Sequence, residues 1–187
     1  MCDGELVQLD EARQGIESIA RRLALLHIAY AKAVIDEVGE EKGLRIIARA
    51  IKEYGRIIGE RTREEVLSRG LEPSPENFDK APTYRIPSFG MHDRVEVVEV
   101  GGELRTRVYG CVLAKVWKEL GEDRLGRLYC YMDVAKYMAY NPRYKLVHVK
   151  CVLDGDGYCE FAVRPTTEKE REDFLSKDRE WFYMDHL

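Results

Sequence analysis

The sequence predicts an α+β fold in which a long N-terminal helical hairpin packs on a four-stranded antiparallel sheet with further helices. Three observations lead to this prediction. Apolar residues recur at helical spacing across two long stretches near the N-terminus. Two later stretches have the strand-like composition and glycine-containing turns of β-hairpins. Shorter helical stretches lie between and after these hairpins, and such a segregated order of strands and helices is typical of the α+β class.

Length and composition indicate a globular chain with a single domain, residues 1–187. Apolar residues make up 45% of the chain and charged residues 34%, and the net charge is −4. A chain of this size can bury an extensive core. We expect no nucleic-acid partner, because no basic block is present. We expect no membrane span either, because no apolar run approaches the roughly 18 residues that a span requires.

A cytoplasmic location is expected from the cysteines and the N-terminus. The first 15 residues lack the order of a basic region followed by an apolar one that marks a signal peptide. Five widely spaced cysteines are typical of reduced thiols in a cytoplasm. Abundant Glu, Lys and Arg with little Asn or Gln suggest a thermophile. Because some hyperthermophiles keep intracellular disulfides, a Cys151–Cys159 pair remains open.

Residues 10–70 are predicted to form the helical hairpin. Its helices are expected over residues 10–38 and 42–69, and Gly39 and Gly70 are expected to end them. Two long helices joined by a short turn pack antiparallel to each other. The predicted buried stripe of the first helix consists of Ile16, Ile19, Leu23, Leu26, Tyr30 and Val34.

Two glycines in the second helix predict a close helix contact. Gly55 and Gly59 are four residues apart, so they share one face of the helix. Each lowers helix stability by about 1 kcal/mol relative to Ala, and in return lets another backbone approach closely.

Residues 71–92 are predicted to be an irregular connection or a lid. They carry four of the six prolines, each of which removes a backbone donor. Loops of this length inside a domain are typically binding loops or lids, or else disordered.

Residues 93–187 are predicted to form the α+β core that carries the site. A first hairpin over residues 94–109 turns at Gly101-Gly102, with Val95, Val97, Leu104 and Val108 facing inward. The remaining predicted elements are helices at 111–120 and 123–140, strands at 144–153 and 159–164, and a closing helix at 167–183 that begins with a Thr167/Glu170 capping box.

The register of the second hairpin is chosen by its apolar face. Pairing Leu153 with Cys159 and Cys151 with Phe161 makes one face wholly apolar, whereas a one-residue slip would mix the faces. This register places Cys159 on the core side of the sheet.

The candidate chemistry lies in residues 110–163, which hold four of the five cysteines. Cys111 opens a helix, where the positive end of the helix dipole would lower the pKa of its thiol. Cys130 and Asp133 are three apart on the next helix and share a face. Two simpler interpretations stay open. Any one cysteine can be a small buried apolar residue, and Asp133 can be a surface residue paired with Lys136.

The order and spacing of several short signs resemble the L-2-amino-thiazoline-4-carboxylic acid hydrolase family. The signs are Cys111 at a helix start, Leu120-Gly121, Cys130-x-x-Asp133, Asn141-Pro142 and Gly155-Asp156-x-x-Cys159-x-Phe161. That family looks related to the 4-vinyl-reductase-like, haem-NO-binding and transport-particle group of folds.

The resemblance implies a hydrolase that opens a cyclic C–N/C–S substrate by addition of water. It implies Asp133 as the base, on the condition that burial beside Tyr129 or Tyr137 raises the pKa of its carboxylate. It also implies Cys130, Cys111 and Cys159 as candidates for nucleophile or acid. The residues proposed to bind the small-molecule substrate are His27, Tyr30, Arg85, His92 and Asn141. His27 can equally be a core residue, because it lies beside the apolar stripe of the first helix.

Other functions remain open from the sequence. One is a small-ligand-binding or sensor domain of the 4-vinyl-reductase-like type without turnover, and another is a homodimer formed by a helical face without a ligand. We expect no cofactor and no metal. Three cysteines with His27 or His92 could bind zinc, but no Cys-x-x-Cys pair supports it. An enzyme should place Asp133 and a cysteine together in an enclosed pocket with perturbed pKa values.

Overall fold

The computed structural model describes residues 7–81, 90–177 and 179–185. Its helices are α1 (Leu9–Val38), α2 (Glu40–Ser68), α3 (Val112–Glu119), α4 (Asp123–Cys130), α5 (Met132–Tyr140) and α6 (Glu168–Leu175). Its strands are β1 (Arg94–Val100), β2 (Glu103–Tyr109), β3 (Tyr144–Lys150) and β4 (Cys159–Pro165). Short 3₁₀ helices span Pro75–Lys80, Val152–Asp154 and Phe182–Asp185. The predicted α+β class is confirmed.

The four strands form one antiparallel sheet in the order β1-β2-β4-β3. The two hairpins therefore meet in the middle of the sheet, where β2 pairs with β4 and Val108 lies opposite Cys159. Cys159 is 7% exposed and packs in the main apolar cluster, so its predicted core-side position is confirmed.

The predicted register of the second hairpin is wrong. His148, and not Cys151, lies opposite Phe161, and an irregularity follows between His148 and Lys150. The strand ends early because an aspartate of the turn binds the backbone that the ladder would use. The Cys151 amide donates to Asp156 Oδ2 at 2.9 Å, and the Asp156 amide donates to the Cys151 carbonyl at 3.2 Å. Cys151 therefore leaves the sheet and enters the core.

α1 buries a face that overlaps the predicted stripe only in part, since Leu23 and Val34 are half-buried and pack against the core. Its buried residues are Ala20, Ala24, Ile28 and Ala31. Ile19, Leu26 and Tyr30 are instead 68%, 53% and 68% exposed. Small side chains allow α1 to lie close to α3, where the indole Nε1–H of Trp117 donates to the Ala24 carbonyl at 3.0 Å. The close approach favours alanines over the larger apolar side chains.

The contact between α2 and α5 depends on the two glycines of α2, as predicted. A Cβ at Gly55 would lie 2.6 Å from the Cβ of Ala135, and a Cβ at Gly59 would lie 2.8 Å from that of Ala139. Neither distance is compatible with ordinary packing. Backbone contact therefore sets the position of α5, which carries Asp133.

The outer part of the first hairpin is less covered than predicted. Val108 is buried, but Val95, Val97 and Leu104 are 40%, 66% and 69% exposed. These residues lie on β1, the edge strand, and at the far end of β2. Their apolar face continues beyond the part of the sheet that the helices cover.

Two helices are shorter than predicted. The stretch 123–140 is interrupted at Tyr131, whose ring stacks on Phe182 with a centroid distance of 4.0 Å. The closing helix begins with the predicted capping box but ends at Leu175. Lys52 Nζ then donates to the Ser176 carbonyl at 2.8 Å, which ties this end to α2.

Candidate functional site

Four side chains lie together between the end of α4 and the second hairpin, and we call them the deep layer of the site: Cys130, His148, Cys151 and Cys159. Cys130 ends α4, His148 lies in β3, Cys151 follows that strand, and Cys159 begins β4. One ligand-type atom each of Cys130, His148 and Cys151 lie within 4.8 Å of one another. Three separate elements thus bring sulfur and nitrogen atoms to one point.

The thiols of the deep layer interact with one another. All four cysteines of the described residues are free, and Cys151 and Cys159 are 1% and 7% exposed. The neighbouring thiols of Cys130 and Cys159 lower the pKa of Cys151, and Cys151 in turn raises the pKa of both. The thiol of Cys130 also donates to the Gly126 carbonyl, with 3.9 Å between sulfur and oxygen. The Val152 amide also donates to Cys159 Sγ at 3.5 Å. Cys151 is therefore the thiol best placed to carry negative charge.

His148 is held by a buried carboxylate. Its backbone amide and its Nδ1 both contact Asp185 Oδ1, at 2.9 and 3.0 Å. Arg127 Nη2 donates to the other oxygen of Asp185 at 2.6 Å. Burial lowers the pKa of His148, but Asp185 and Asp133 outweigh burial and raise it above its ordinary value. With Nδ1 engaged by Asp185, Nε2 is the nitrogen left for other partners.

Neither His148 nor Asp185 was predicted as a site residue from the sequence. The side-chain direction of His148 depends on a strand register that the turn shifts. Asp185 lies near the C-terminus, outside any motif, and only the tertiary fold brings it to Arg127 and His148.

A second group of side chains forms the outer layer of the site: His92, Cys111, Asp133 and Lys136. Lys136 Nζ donates to Asp133 Oδ1 at 2.7 Å, and the Asp133 side chain is 22% exposed. Burial would raise the pKa of Asp133, but Lys136, His148 and His92 together hold it below its ordinary value, so the raised pKa expected for a base at this position is wrong. Asp133 is therefore a charged carboxylate that solvent can still reach.

His92 adds an unused hydrogen-bonding group to this layer. Its Nδ1 is buried and has no hydrogen-bond partner among the described residues. Burial lowers the pKa of His92, while Asp133 and Asp93 act in the opposite direction. The ring is accordingly neutral at neutral pH and keeps one polar atom for a partner.

The predicted lowering of the Cys111 pKa is wrong. Cys111 does precede α3 as its N-terminal cap. Burial raises the pKa of its thiol and Asp133 adds to the rise, and these two effects exceed the lowering by the amides of Leu113 and Ala114. At neutral pH Cys111 is a thiol and a proton donor.

His27 lies in the packing between α1 and α4. Its Nε2–H donates to the Leu125 carbonyl at 2.8 Å, and its ring packs edge-on against Trp117 and Tyr129. These contacts fit the interpretation of His27 as a core residue.

The other predicted substrate-binding residues lie apart. Tyr30 is 68% exposed on α1. Asn141 is buried, and its amide donates to the Pro73 carbonyl at 2.7 Å, which links the end of α5 to the proline-rich connection. Arg85 lies outside the described residues. Only His92 of this group joins Asp133.

Two grooves lie elsewhere on the surface. The larger has a volume of about 690 Å³ and runs between α2 and the chain around Trp181 and Phe182. The other has a volume of about 580 Å³ and lies between α2 and the end of α6. Neither is lined by Asp133 or by the cysteines. Among the described residues, no helix has the length and apolar character needed to cross a membrane.

Comparison with known proteins gives one family. The family model described as L-2-amino-thiazoline-4-carboxylic acid hydrolase matches residues 18–163. The comparison with curated proteins found no match. Among solved structures, subunit 3 of a trafficking protein particle complex from Naegleria fowleri, covalently bound to palmitic acid, is 14% identical with a TM-score of 0.48. The alignment covers 81% of this chain and 97% of that one, and likeness at this level carries no functional argument.

Proposed function

We propose, from the premise that this chain belongs to the L-2-amino-thiazoline-4-carboxylic acid hydrolase family, that it hydrolyses a cyclic C–N/C–S substrate. The observation that carries the proposal is the outer layer, in which a charged, partly exposed carboxylate interacts with the half-buried His92, whose buried Nδ1 has no hydrogen-bond partner in the described part of the chain. A base of this kind beside a proton acceptor is what addition of water requires.

In this proposal Asp133 activates the water. Starting from the protonated ring amidine, Asp133 takes one proton as the water oxygen bonds to the carbon between nitrogen and sulfur. The C–S bond then breaks with its electron pair on sulfur, and the carbon–oxygen bond becomes a carbonyl. The hydroxyl proton moves to the sulfur, and Asp133 releases its own proton to solvent.

The neighbouring groups handle that second proton. His92, neutral because burial lowers its pKa, is the acceptor that can relay it. Cys111, a protonated thiol, is a hydrogen-bond donor for the departing sulfur. In this proposal the proton transfers take place in the outer layer and not at Cys130 and Cys159, which belong to the deep layer.

Replacing Asp133 by Asn tests the proposal. We expect turnover on ring-containing amidine and thiazoline substrates, followed as thiol release, to fall by about 10²–10⁴, because Asn cannot accept the proton. Asp36→Asn, on an exposed position of α1, is the matched control and should turn over like the parent. Thermal unfolding of both variants separates a loss of chemistry from a loss of folding.

The outcomes distinguish the alternatives. Parental turnover by Asp133→Asn would remove Asp133 from the chemistry. Tight binding of a screened compound without thiol release by the parental protein would favour the ligand-binding or sensor function instead. Four free thiols close together also support a reducing compartment such as the cytoplasm. A second copy of the chain is the macromolecular partner that we propose, bound through the exposed face of α1.

A further inference from the structure

The deep layer has the composition of a metal centre. One ligand-type atom each of Cys130, His148 and Cys151 already lie within 4.8 Å of one another. The sulfur of Cys159 lies 3.5 Å from the backbone nitrogen of Val152, the residue that follows Cys151. Zinc bound by sulfur at about 2.3 Å and nitrogen at about 2.0 Å in a tetrahedron holds its ligand atoms roughly 3.5–3.8 Å apart. Small side-chain adjustments would therefore bring the first three groups to zinc distance, and Cys159 is the thiol next to them.

We propose that the deep layer binds one zinc ion in a closed site with four protein ligands. The ligands are Cys130, His148, Cys151 and Cys159. Sulfur-rich sites with one imidazole and tetrahedral geometry favour zinc over the harder divalent ions. A site with no ligand position left for water is structural, so the ion would join α4 to both strands of the second hairpin.

The surroundings of His148 support a ligand role. Metal-bound histidines usually donate their second ring nitrogen to a carboxylate, which fixes the ring and the tautomer. Asp185 is the carboxylate that accepts this hydrogen bond, because its Oδ1 lies 3.0 Å from His148 Nδ1. Nε2 of His148 is then the nitrogen available to the metal. Arg127 in turn holds Asp185, so the orienting carboxylate is itself fixed.

Charge balance points the same way. Three thiolates with Zn²⁺ carry one net negative charge, which is costly in a buried position unless a cation lies nearby. The Arg127 side chain is 9% exposed and interacts electrostatically with Cys151. Its Nη1 is buried without a hydrogen-bond partner among the described residues, so it has a donor available for a negatively charged cluster.

The reaction of binding is a simple exchange. Zn²⁺ displaces the protons that the thiols and the imidazole Nε2 still carry, and these pass to solvent, so that three thiolates and one neutral imidazole nitrogen bind the ion. No oxidant or reductant is needed. The inference does not rest on the proposed hydrolase function, and it assigns Cys130 and Cys159 to metal binding in place of nucleophilic or acid catalysis.

Metal analysis of the full-length protein, purified under reducing conditions, tests the site. We expect close to one zinc ion per chain. After removal of zinc, Co²⁺ should give the visible bands of a tetrahedral site and the near-ultraviolet absorption of thiolate-to-cobalt charge transfer. A parental protein that holds no zinc, and that shows neither absorption after Co²⁺ is added, would overturn the proposal.

Variants identify the ligands. Cys130→Ser and Cys159→Ser should each lose most of the bound zinc and weaken the charge-transfer absorption, whereas Cys111→Ser should keep one zinc ion per chain. Full zinc occupancy with an unchanged cobalt spectrum in Cys159→Ser would overturn the four-ligand site. If a serine variant fails to fold, the cobalt spectrum of the parental protein still decides whether the site exists.

Discussion

At the scale of single residues, the balance between burial and local charge decides what each group of the outer layer can do. Asp133 is partly buried, yet three neighbouring cationic or titratable groups keep its pKa low. Cys111 has a helix N-terminus beside it, yet burial and the same aspartate raise its pKa. The carboxylate of Asp133 thus stabilises its cationic neighbours and disfavours the thiolate form of Cys111, as Coulomb interactions in a low-dielectric site require.

Cys111 should therefore react slowly with iodoacetamide at neutral pH, because its raised pKa leaves little thiolate. It should still react before Cys151, which is only 1% exposed. Mass spectrometry after limited labelling at two pH values measures both, and labelling of Cys111 should rise with pH. Labelling at neutral pH faster than that of a small reference thiol would contradict the raised pKa.

Residue-level predictions from the sequence succeeded where the cause was local. The Thr167 capping box forms because all of its atoms belong to one turn. The single helix face predicted for Cys130 and Asp133 is wrong, because the helix breaks at Tyr131 and the two residues lie on α4 and α5. His148 and Asp185 could not be predicted, since their contact depends on the path of distant segments. The catalytic roles of the outer layer stay predictions.

At the scale of elements, α6 is fixed by a residue with two functions. Glu170 completes the capping box and also accepts from Lys145 Nζ at 2.5 Å, with both side chains about 10% exposed. Burial would raise the pKa of Glu170, but the bonds from Lys145 and Thr167 hold it below its ordinary value. The charged form is therefore the one that stabilises the fold.

Glu170→Gln should lower the free energy of unfolding at pH 7 by about 1–3 kcal/mol, because a buried charged partner is lost. A lowered folded-state pKa stabilises the protein above the unfolded-state pKa of about 4.3, and this contribution disappears as the pH falls through the folded-state value. Urea unfolding at pH 7 and in acid should thus show the difference shrinking on acidification. Glu168→Gln, exposed on the same helix, is the control; a difference independent of pH would contradict the assignment.

The glycine contact between α2 and α5 gives a second prediction at this scale. Gly59→Ala should destabilise the protein although Ala favours helix, because overpacking typically costs about 1–3 kcal/mol and the new Cβ would meet α5. Gly15→Ala on α1, where nothing lies within 4 Å, should instead stabilise by about 0.5–1 kcal/mol. Chemical denaturation measures both, and equal effects of the two changes would refute the close contact.

The elements differ in how well the sequence predicts them. The spacing of Gly55 and Gly59 indicated a close helix contact correctly, whereas the apolar stripe predicted for α1 is buried only in part. Hydrophobic periodicity weighs large side chains most, but α1 packs through alanines because its partner lies close. The predicted register of the second hairpin was wrong for another reason. Asp156 binds a backbone amide that the alternating strand pattern assigns to a ladder hydrogen bond.

At the scale of the whole molecule, α1 leaves a row of apolar side chains exposed. Ile19, Leu26 and Tyr30 lie seven and four residues apart, so they share one face. Scattered apolar residues are normal on a surface, but a contiguous row is typical of an interaction site. The homodimer that we propose would use this row.

For the proposed homodimer, Leu26→Glu should shift the chain from dimer to monomer, because a charge in an apolar interface is costly. Sedimentation equilibrium measures the mass directly. Leu175→Glu, at a position 83% exposed on α6, is the control and should keep the parental mass. An unchanged mass in Leu26→Glu would remove this face from the interface.

The glycine contact between α2 and α5 also bears on how the chain folds during synthesis. Gly55 meets Ala135, which the ribosome adds 80 residues later. The N-terminal hairpin therefore emerges with its contact face uncovered, and it must wait for most of the chain before that face is buried. Long-range contacts of this kind slow folding and expose apolar surface in the interval. The helix that positions Asp133 is consequently among the last elements to reach its native place, so nascent chains shortened before residue 140 should associate with chaperones.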